Sequence, residues 1–350
     1  MNIYYYGNQV YQFSHCKPIY EMAGGTFIVK KVTKYLPFIL NMRNPNCPNM
    51  SNFIWQAPPV KVLKNNQLDH LEGVFISLSN VNLHVGKNSK TIFLGHGTGD
   101  KKYGGKSISI NKYDYIFLTG DKYKAKLEDV GLKIPDDKLI KIGNLRFDDY
   151  VNNKYDQQNL KKMRKIKDMS RKNILYAPTW KWGNGTLMKY FFRFAREITK
   201  EHNLIVRPHH FDARKIPFLK LWAKLNNIDN IYFSNPVKLK TSDTFQDFAL
   251  SDLMISDTSS VIYEYLITKK PIIVAHTKQE DLHNMSDNMN IMKYADTFNE
   301  QQDILEVIDK NLNDTSIPTR FNELLHNCFY FNDGLSTQRA VDFIGNLNQS

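Results

Sequence analysis

Short runs of apolar and β-branched residues alternate along the chain with longer stretches whose apolar positions recur every three or four residues. The short runs predict strands, and the longer stretches predict amphipathic helices. The predicted strands are residues 25–29, 73–78, 90–94, 115–119, 139–142, 173–177, 203–207, 231–234, 253–256 and 271–275. The predicted helices are residues 121–130, 189–201, 216–225, 244–250, 261–268, 301–312 and 336–345. This alternation is typical of an α/β protein in which helices cover parallel sheets.

A polar, charge-rich segment, residues 152–172, divides this pattern into two halves. The chain has 350 residues, which exceeds the usual size of a single hydrophobic core, so two domains are expected. Each half has the pattern of a doubly wound sheet, in which ligands bind beyond the carboxyl ends of the strands. A cleft between the two halves is therefore the predicted binding site.

The formal net charge of +12 indicates an anionic partner: nucleic acid, an acidic membrane surface or a phosphorylated substrate. The densest basic run, residues 161–172, contains no aromatic residue that could stack on a base. This run therefore favours a solvated or membrane-facing helix over a base-reading surface. Residues 27–42 mix apolar residues with three lysines, which fits either a buried αβ unit or a membrane contact.

The three cysteines, Cys16, Cys47 and Cys328, are odd in number and lack the spacing of metal ligands. They indicate neither a disulfide framework nor a zinc site, and they fit a reducing cytoplasm. The first residues have no signal-peptide pattern, and no apolar run reaches the ~18 residues that span a bilayer. A soluble or peripheral protein is expected.

Four segments that follow predicted strands carry side chains suited to binding phosphate. After residues 90–94, a glycine-rich loop allows close approach of the backbone and offers an imidazole that can take a proton. The candidate residues of this loop are His96, Gly97, Thr98, Lys101 and Lys102. After residues 173–177, Thr179 and Lys181 offer a hydroxyl and a cation beside two tryptophans. The structural alternatives are an ordinary loop histidine and an aromatic lid over the second core.

The third segment places Arg207 and His209 after a strand, where a guanidinium can pair with phosphate oxygens and an imidazole can add a bond. Adjacent histidines can also bind a metal, but no carboxylate has a suitable spacing. The fourth segment is a hydroxyl-rich turn that opens a helix, a place that favours phosphate although a capped crossover helix has the same pattern. Its candidate residues are Thr258, Ser259 and Ser260.

Together these groups predict a site for a diphosphate and an acid–base step. Most of these residues belong to a series of six motifs, which in chain order are His96-Gly97-Thr98, 143–148, 176–180, Arg207-Pro208-His209, 251–260 and 331–334. In this order the motifs resemble the CDP-glycerol glycerophosphotransferase family, which contains teichoic-acid primases, teichoic-acid polymerases and related capsule enzymes. The resemblance covers about residues 90–344, most of the chain.

The resemblance implies a GT-B fold, in which two Rossmann-like, doubly wound domains face each other across a cleft. It assigns residues 1–151 to an acceptor-side domain, 152–172 to a linker and 173–333 to a domain that binds the nucleotide donor. Residues 334–350 would form a C-terminal helix that returns to the first domain.

Enzymes of this family move a glycerol phosphate, or a related polyol phosphate, from a CDP carrier to a hydroxyl of a glycan or lipid-linked acceptor, and CMP is released. The resemblance implies that His96 activates the acceptor hydroxyl and that Arg207 and His209 contact the diphosphate. The residues that would contact the donor phosphates are Thr179, Lys181, Thr258, Ser259 and Ser260. The acceptor or cleft-loop residues would be Gly97, Thr98, Lys101, Lys102 and His15. For His15, a purely structural histidine is the alternative.

The chain departs from the family pattern at Gly99, Thr258 and His210, where Pro, Tyr and Pro are common. No metal ligands are predicted, and the need for a divalent ion stays open. The expected partners are a CDP-polyol such as CDP-glycerol, a glycan or polyprenol-linked acceptor and an anionic membrane surface, without nucleic acid. The expected location is the cytoplasm, at the inner face of the cell membrane.

Two other functions remain open at this point. A GT-B glycosyltransferase would place its nucleotide sugar in the same cleft, and its sugar or ribose would be held by Glu264, Glu280 or Asp281. A non-catalytic basic protein that binds nucleic acid would explain the net charge but not the polar residues at the strand ends.

Overall fold

The computed structural model describes residues 2–42, 59–97, 99, 107–180, 185–238, 242–257, 259–275 and 285–347. The strands are β1 (Ile3–Tyr6), β2 (Thr26–Val29), β3 (Val60–Val62), β4 (Val74–Ser77), β5 (Lys90–Phe93), β6 (Tyr115–Leu118), β7 (Leu139–Lys141), β8 (Asn173–Tyr176), β9 (Asn203–Val206), β10 (Ile231–Phe233), β11 (Leu253–Ser256), β12 (Ile272–Ala275) and β13 (Asp296–Phe298). The helices are α1 (Phe13–Ala23), α2 (Val32–Met42), α3 (Asp121–Asp129), α4 (Asp148–Val151), α5 (Gln157–Arg164), α6 (Leu187–Glu197), α7 (Ile216–Leu225), α8 (Thr244–Leu250), α9 (Val261–Tyr265), α10 (Ile304–Asn313), α11 (Ile317–Cys328) and α12 (Ser336–Asn346).

The strands form two sheets in which every described strand pair is parallel. The first sheet has the order β3-β2-β1-β4-β5-β6-β7, and the second has the order β10-β9-β8-β11-β12-β13. In each sheet the chain adds strands first toward one edge and then toward the other. The change occurs between β1 and β4 in the first sheet and between β8 and β11 in the second. Such a reversal opens a crevice at the carboxyl ends of the strands. The two parallel α/β sheets confirm the predicted fold class.

Both sheets are buried on both faces, which explains why their central strands are apolar without alternation. In β4, Val74 and Ile76 belong to the core on one face, and Phe75 belongs to the core on the other. In β11, Met254 and Ile255 divide in the same way between the two cores of the second sheet. Helices therefore cover each sheet from both sides, and only the strand ends and their loops are available for a site.

The last helix, α12, packs on the first sheet. Ala340 is fully buried in the same core cluster as Phe117 of β6. The carboxylate of Asp148 accepts hydrogen bonds from the backbone N–H groups of Ser336 and Thr337, at 3.1 and 2.7 Å. The start of α12 is thereby fixed to the segment that follows β7.

All ten predicted strands are confirmed, with ends shifted by at most one residue. The prediction omitted β1 at the start of the chain, together with β3 and β13, which have three residues each and carry little periodic signal. It also omitted α1 and α2, which contain Pro18 and Pro37. Proline inside a helix removes a hydrogen bond and normally marks a helix end. Tertiary packing overrides that signal here.

The segment predicted as a linker, residues 152–172, contains α5 and is packed against the second sheet. Leu160 of α5 is buried in the second-sheet core. Arg164, at the end of α5, donates to the carboxylate of Asp247 at 2.6 Å. Among the described residues, no helix has the length and apolar character needed to span a membrane.

Candidate active site

A cavity lies between the loops at the carboxyl ends of the two sheets. From the first sheet it is lined by Tyr11, Ser14, His15, His96 and Arg146. From the second sheet it is lined by residues that include Pro178, Arg207, His209, His210, Ser259, Ser260 and Glu264. The fold thus brings together the predicted residues His15, His96, Arg207, His209, Ser259 and Ser260.

The imidazole of His96, which follows β5, is held by a backbone carbonyl. Its Nδ1 lies 2.5 Å from the carbonyl oxygen of Leu78, the residue that follows β4. A carbonyl oxygen only accepts hydrogen bonds, so Nδ1 carries the proton and Nε2 keeps a lone pair. Burial lowers the pKa of His96; the bond to Leu78 opposes this shift, and nearby Lys126 adds to it. His96 is therefore neutral near pH 7 and can accept a proton at Nε2.

Two glycines that follow His96, Gly97 and Gly99, lie directly against Ser260 on the other side of the cavity. Gly97 has a φ of +125°, a conformation that side chains rarely adopt. A Cβ atom on Gly99 would lie 2.9 Å from Cβ of Ser260 and 3.0 Å from its Cα. Lys126 also donates to the carbonyl oxygen of Gly99 at 2.9 Å. Glycine at position 99 thus permits a close contact between the two sides.

Tyr11 lies between a histidine from each side of the cavity. Its ring stacks on that of His210 with centroids 4.0 Å apart, and it meets the ring of His96 edge-on at 5.8 Å. Burial lowers the pKa of His210 to about 3, and His209 and His96 contribute to this shift. A neutral, stacked His210 therefore connects the second-sheet side to the first-sheet side.

His15 lies on α1, in the wall of the cavity. Burial holds the pKa of His15 well below its usual value, and the charges of Arg146 and His96 lower it further. The sequence left open whether His15 is a cleft residue or a structural histidine. The structure places it in the cleft as a neutral side chain.

Arg207 is buried and tied to its own side of the cavity. Its Nη1 donates to Ser234 Oγ at 2.8 Å, to the carbonyl of Ser242 at 2.7 Å and to Asp247 at 2.8 Å, while Nη2 donates to Thr244 Oγ1 at 2.9 Å. These contacts occupy the Nη1 side of the guanidinium. Nη2 has a second N–H besides the one bonded to Thr244, and Arg207 lines the cavity, so this N–H is the candidate donor to a ligand.

His209 directly precedes His210 at the rim of the cavity, and the two ring centroids lie 4.1 Å apart. The Nδ1 atom of His209 accepts a hydrogen bond from the backbone N–H of Phe211 at 3.4 Å. In a neutral ring this bond leaves the proton on Nε2, which is then a hydrogen-bond donor. This tautomer suits contact with a phosphate oxygen, in contrast to the tautomer of His96.

In the turn after β11, one polar side chain is buried and holds neighbouring backbone in place, and others line the cavity. Asp257 is 1% exposed and accepts hydrogen bonds from the backbone N–H groups of Thr179 and Thr186, at 2.8 and 2.9 Å. Thr179 was predicted to bind phosphate, but it is only 4% exposed, and its neighbours Ala177 and Pro178 line the cavity instead. Ser259 and Ser260, which were predicted to bind the donor phosphates, line the cavity.

The helix predicted over residues 261–268 is α-helical only over Val261–Tyr265 and continues as a 3-10 turn, Leu266–Thr268. One helical turn aligns few peptide dipoles, so its electrostatic effect on a phosphate is smaller than the sequence suggested. The hydroxyl groups of Ser259 and Ser260 are the more direct candidates for ligand contact.

An ion pair that the sequence analysis did not anticipate crosses the cavity. Nη1 of Arg146, in the segment after β7, donates to both carboxylate oxygens of Glu264 on α9, at 2.9 and 2.8 Å. Arg146 is 8% exposed and Glu264 is 4% exposed. Burial raises the pKa of Glu264, and Arg146 opposes that shift. The carboxylate considered above as a sugar or ribose ligand is therefore engaged by an arginine.

Thr98, Lys101, Lys102, Lys181 and Thr258 were also predicted as site residues, and they lie outside the described residues. The same holds for Glu280 and Asp281, the alternative ligands of a nucleotide sugar. Within the described ranges, no group of three or more His, Cys, Asp or Glu side chains could hold a metal ion.

The pairing of these two α/β sheets around one cleft is that of GT-B-like proteins. Solved structures of the wall teichoic acid polymerase TagF superpose with a TM-score of 0.69 at 16% sequence identity, covering 100% of this chain and 89% of that one. A UDP complex of MnaA from S. aureus superposes with a TM-score of 0.60 at 12% identity, covering 99% and 97%. At these identities the likeness establishes the fold.

The chain belongs to the CDP-glycerol:poly(glycerophosphate) glycerophosphotransferase family, whose model matches residues 77–346. It is 26% identical over 333 residues to the teichoic acid glycerol-phosphate primase of Bacillus subtilis, covering 86% of this chain and 81% of the primase. It is 25% identical over 171 residues to the teichoic acid poly(glycerol phosphate) polymerase of Staphylococcus epidermidis, covering 46% of this chain and 22% of the polymerase.

Proposed function

We propose that this protein transfers glycerol phosphate, or a related polyol phosphate, from a CDP-polyol to a hydroxyl of a glycan or lipid-linked acceptor. The product would be a teichoic acid or capsule-type polymer. The observation that carries the proposal is the neutral His96, whose Nε2 can accept a proton and which lines the same cavity as Ser259 and Ser260. Membership of the family supports the choice of donor.

In the proposed reaction, Nε2 of His96 takes the proton of the acceptor hydroxyl as the oxygen of that hydroxyl bonds to the β-phosphorus, which carries the polyol. The bond from this phosphorus to the bridging oxygen breaks, and its electron pair leaves with CMP. Negative charge then grows on the phosphoryl oxygens. Donors fixed before the reaction stabilise that charge without reorganisation.

The side chains proposed to donate to the phosphates are Nε2–H of His209, the second Nη2 N–H of Arg207, and the hydroxyls of Ser259 and Ser260. Lys181 and Thr258 remain predicted phosphate contacts. For Thr179 we propose a positioning role, because its backbone N–H donates a hydrogen bond to the buried carboxylate of Asp257.

Gly97 and His15 lie on the proposed acceptor side, where Thr98, Lys101 and Lys102 remain predicted contacts. We propose that residues 1–151 and 173–333 form the acceptor and donor domains, joined by residues 152–172. Residues 334–350, which include α12, would complete the first domain.

Donor binding tests this proposal without knowledge of the acceptor. Calorimetry with CDP-glycerol, CDP-ribitol and UDP-N-acetylglucosamine should give a dissociation constant for a CDP-polyol at least about tenfold lower than for the UDP-sugar, a difference of about 1.4 kcal/mol. Tighter binding of the UDP-sugar would contradict the proposed donor and favour a glycosyltransferase.

The rate of transfer should fall in acid and stay constant above neutrality. The base form of His96 is required, and burial lowers its pKa below the usual 6.5. The value of kcat/KM for CMP release should therefore be constant from about pH 7 to about pH 8.5 and decline below an apparent pKa of less than 6.5. An acid limb centred above pH 7 would contradict a neutral, buried base.

Gly99→Ala should impair turnover while leaving the protein folded. The added methyl group would have to displace the backbone of Ser260, which lies 3.0 Å from the new Cβ position. Because misplacement of a site by about 1 Å can cost about 10²-fold in rate, we expect a loss of at least about tenfold in kcat. Gly345→Ala on α12, where the added Cβ meets open space, is the matched control and should retain full activity. Full activity of Gly99→Ala would show that the contact with Ser260 is dispensable.

A further inference from the structure

The helix α7 is apolar on its buried face and also on its solvent face. Ile216, Leu219 and Ala223 pack inward and are at most 6% exposed. On the outer face, Phe218, Leu221 and Leu225 are 53%, 55% and 73% exposed. These three residues, here called the α7 face, are spaced three and four positions apart and so lie on one side of the helix. A surface helix normally has a polar outer face, so this pattern indicates a partner.

The surroundings of the α7 face are basic. Lys220 and Lys224 are exposed on the same helix, and Arg214 is exposed just before it. The nearest acidic residues in the sequence are already paired with lysines, Asp212 with Lys215 at 2.8 Å and Asp229 with Lys167 at 3.3 Å. The partner that matches exposed apolar side chains flanked by cations is itself both apolar and anionic.

The α7 face also continues toward the rim of the cavity. A 3-10 turn, His210–Lys215, runs without interruption into α7. Phe211 in this turn is 44% exposed, and its ring centroid lies 4.0 Å from that of His210 and 4.7 Å from that of Trp180. A surface bound by α7 would therefore lie beside the opening of the active-site cavity.

We propose that the α7 face inserts into the interface of an anionic lipid bilayer, with α7 parallel to the membrane plane. Phe218, Leu221 and Leu225 would enter the boundary between headgroups and acyl chains, while Lys220 and Lys224 contact lipid phosphates. A second copy of the chain fits less well, because pairing two α7 faces would bring their lysines together. Membrane binding does not depend on the proposed transfer, although its position by the cavity suits a lipid-linked acceptor.

Vesicle sedimentation with the full chain tests the proposal. Wild type should bind vesicles of phosphatidylglycerol and phosphatidylcholine at low salt, and bind pure phosphatidylcholine vesicles at least about tenfold more weakly. The triple variant Phe218→Ser, Leu221→Ser, Leu225→Ser should lose at least about tenfold in affinity for the anionic vesicles. Lys220→Glu with Lys224→Glu should lose a similar factor, and its remaining binding should depend less on salt.

Control variants test whether vesicle binding depends on the α7 face or on exposed apolar side chains in general. Met22→Ser with Met169→Ser removes two other apolar side chains, each 51% exposed, and should bind as wild type. The α7 variants should keep the wild-type unfolding midpoint, because the replaced groups are largely solvated. If the triple variant binds vesicles as well as wild type does, the proposal is overturned. The same conclusion holds if binding is instead abolished by Val32→Ser with Leu36→Ser, two changes on α2. The proposal is also overturned if wild type forms a dimer but does not bind vesicles, and the triple variant no longer forms that dimer. That result would assign the α7 face to contact with a second copy of the chain.

Discussion

Replacing His96 with alanine is expected to lower the rate of CMP release from CDP-glycerol by about 10²- to 10⁴-fold, the range that a positioned general base contributes. The structure gives the reason: the bond from Nδ1 to the carbonyl of Leu78 fixes the tautomer, and burial keeps the ring neutral. The loss should appear in kcat, because the histidine acts on the proton transferred in the reaction and not on donor binding.

The matched control is His84→Ala, which removes an exposed histidine from the same half of the chain and should leave turnover unchanged. Donor binding by His96→Ala should stay within about threefold of wild type, since the proposed donor contacts lie on the opposite side of the cavity. Turnover of His96→Ala close to wild type between about pH 6 and about pH 8 would exclude His96 as the base.

Breaking the ion pair between Arg146 and Glu264 is expected to destabilise the fold strongly. Glu264→Ala would leave the guanidinium of Arg146 buried without its carboxylate, which costs about 3–5 kcal/mol in typical buried pairs. Urea unfolding should show this loss as a lower midpoint. The double variant Arg146→Met, Glu264→Met removes both charges and should recover a large part of the lost stability, because no unpaired buried charge remains.

The exposed pair of Lys167 and Asp229 provides a control of the same charge type. The two side chains are 75% and 76% exposed, and Asp229→Ala should change the free energy of unfolding by less than about 1 kcal/mol. A loss in Glu264→Ala as small as that in Asp229→Ala would mean that the Arg146–Glu264 pair is solvated and does not hold the two sides of the cavity together.

The periodic pattern of the sequence was sufficient for most of the fold, because central parallel strands are buried on both faces and read as continuous apolar runs. β4 and β11 are of this kind. α1 and α2 could not be predicted from local signals, since Pro18 and Pro37 both lie inside helices. Their helical state depends on packing: Phe13 of α1 and Phe38 of α2 are buried against Phe27 of β2.

The site was predictable to the extent that it lies at strand ends. His96, Arg207 and Ser260 each follow a strand, and parallel strands bring their carboxyl ends to one edge. Tyr11 was missed because it follows β1, which the prediction omitted, and its stacking on His210 joins residues 199 positions apart in the sequence. Arg146 stood within a motif that carried the resemblance, but its pairing with Glu264 appears only when the two sheets face each other.

The hydrogen bonds that hold Arg207 in place also could not be predicted from the sequence. A guanidinium after a strand suggested a freely available phosphate clamp, whereas Asp247 and Ser234 occupy one side of it in the structure. Arg207 itself follows β9, whereas its bonded partners come from the segment after β10 and from α8. Their convergence depends on the order of strands in the second sheet.

Identification of the nucleotide released during turnover tests the central claim most directly. The purified protein would be supplied with CDP-glycerol and with UDP-N-acetylglucosamine in the presence of a lipid-linked glycan acceptor, and the released nucleotides separated by chromatography. Attack on the β-phosphorus predicts CMP from CDP-glycerol in equal amount to the glycerol phosphate added to the acceptor, with no release from the UDP-sugar. Release of UDP from the sugar donor, with CDP-glycerol left intact, would contradict polyol-phosphate transfer and identify a glycosyltransferase.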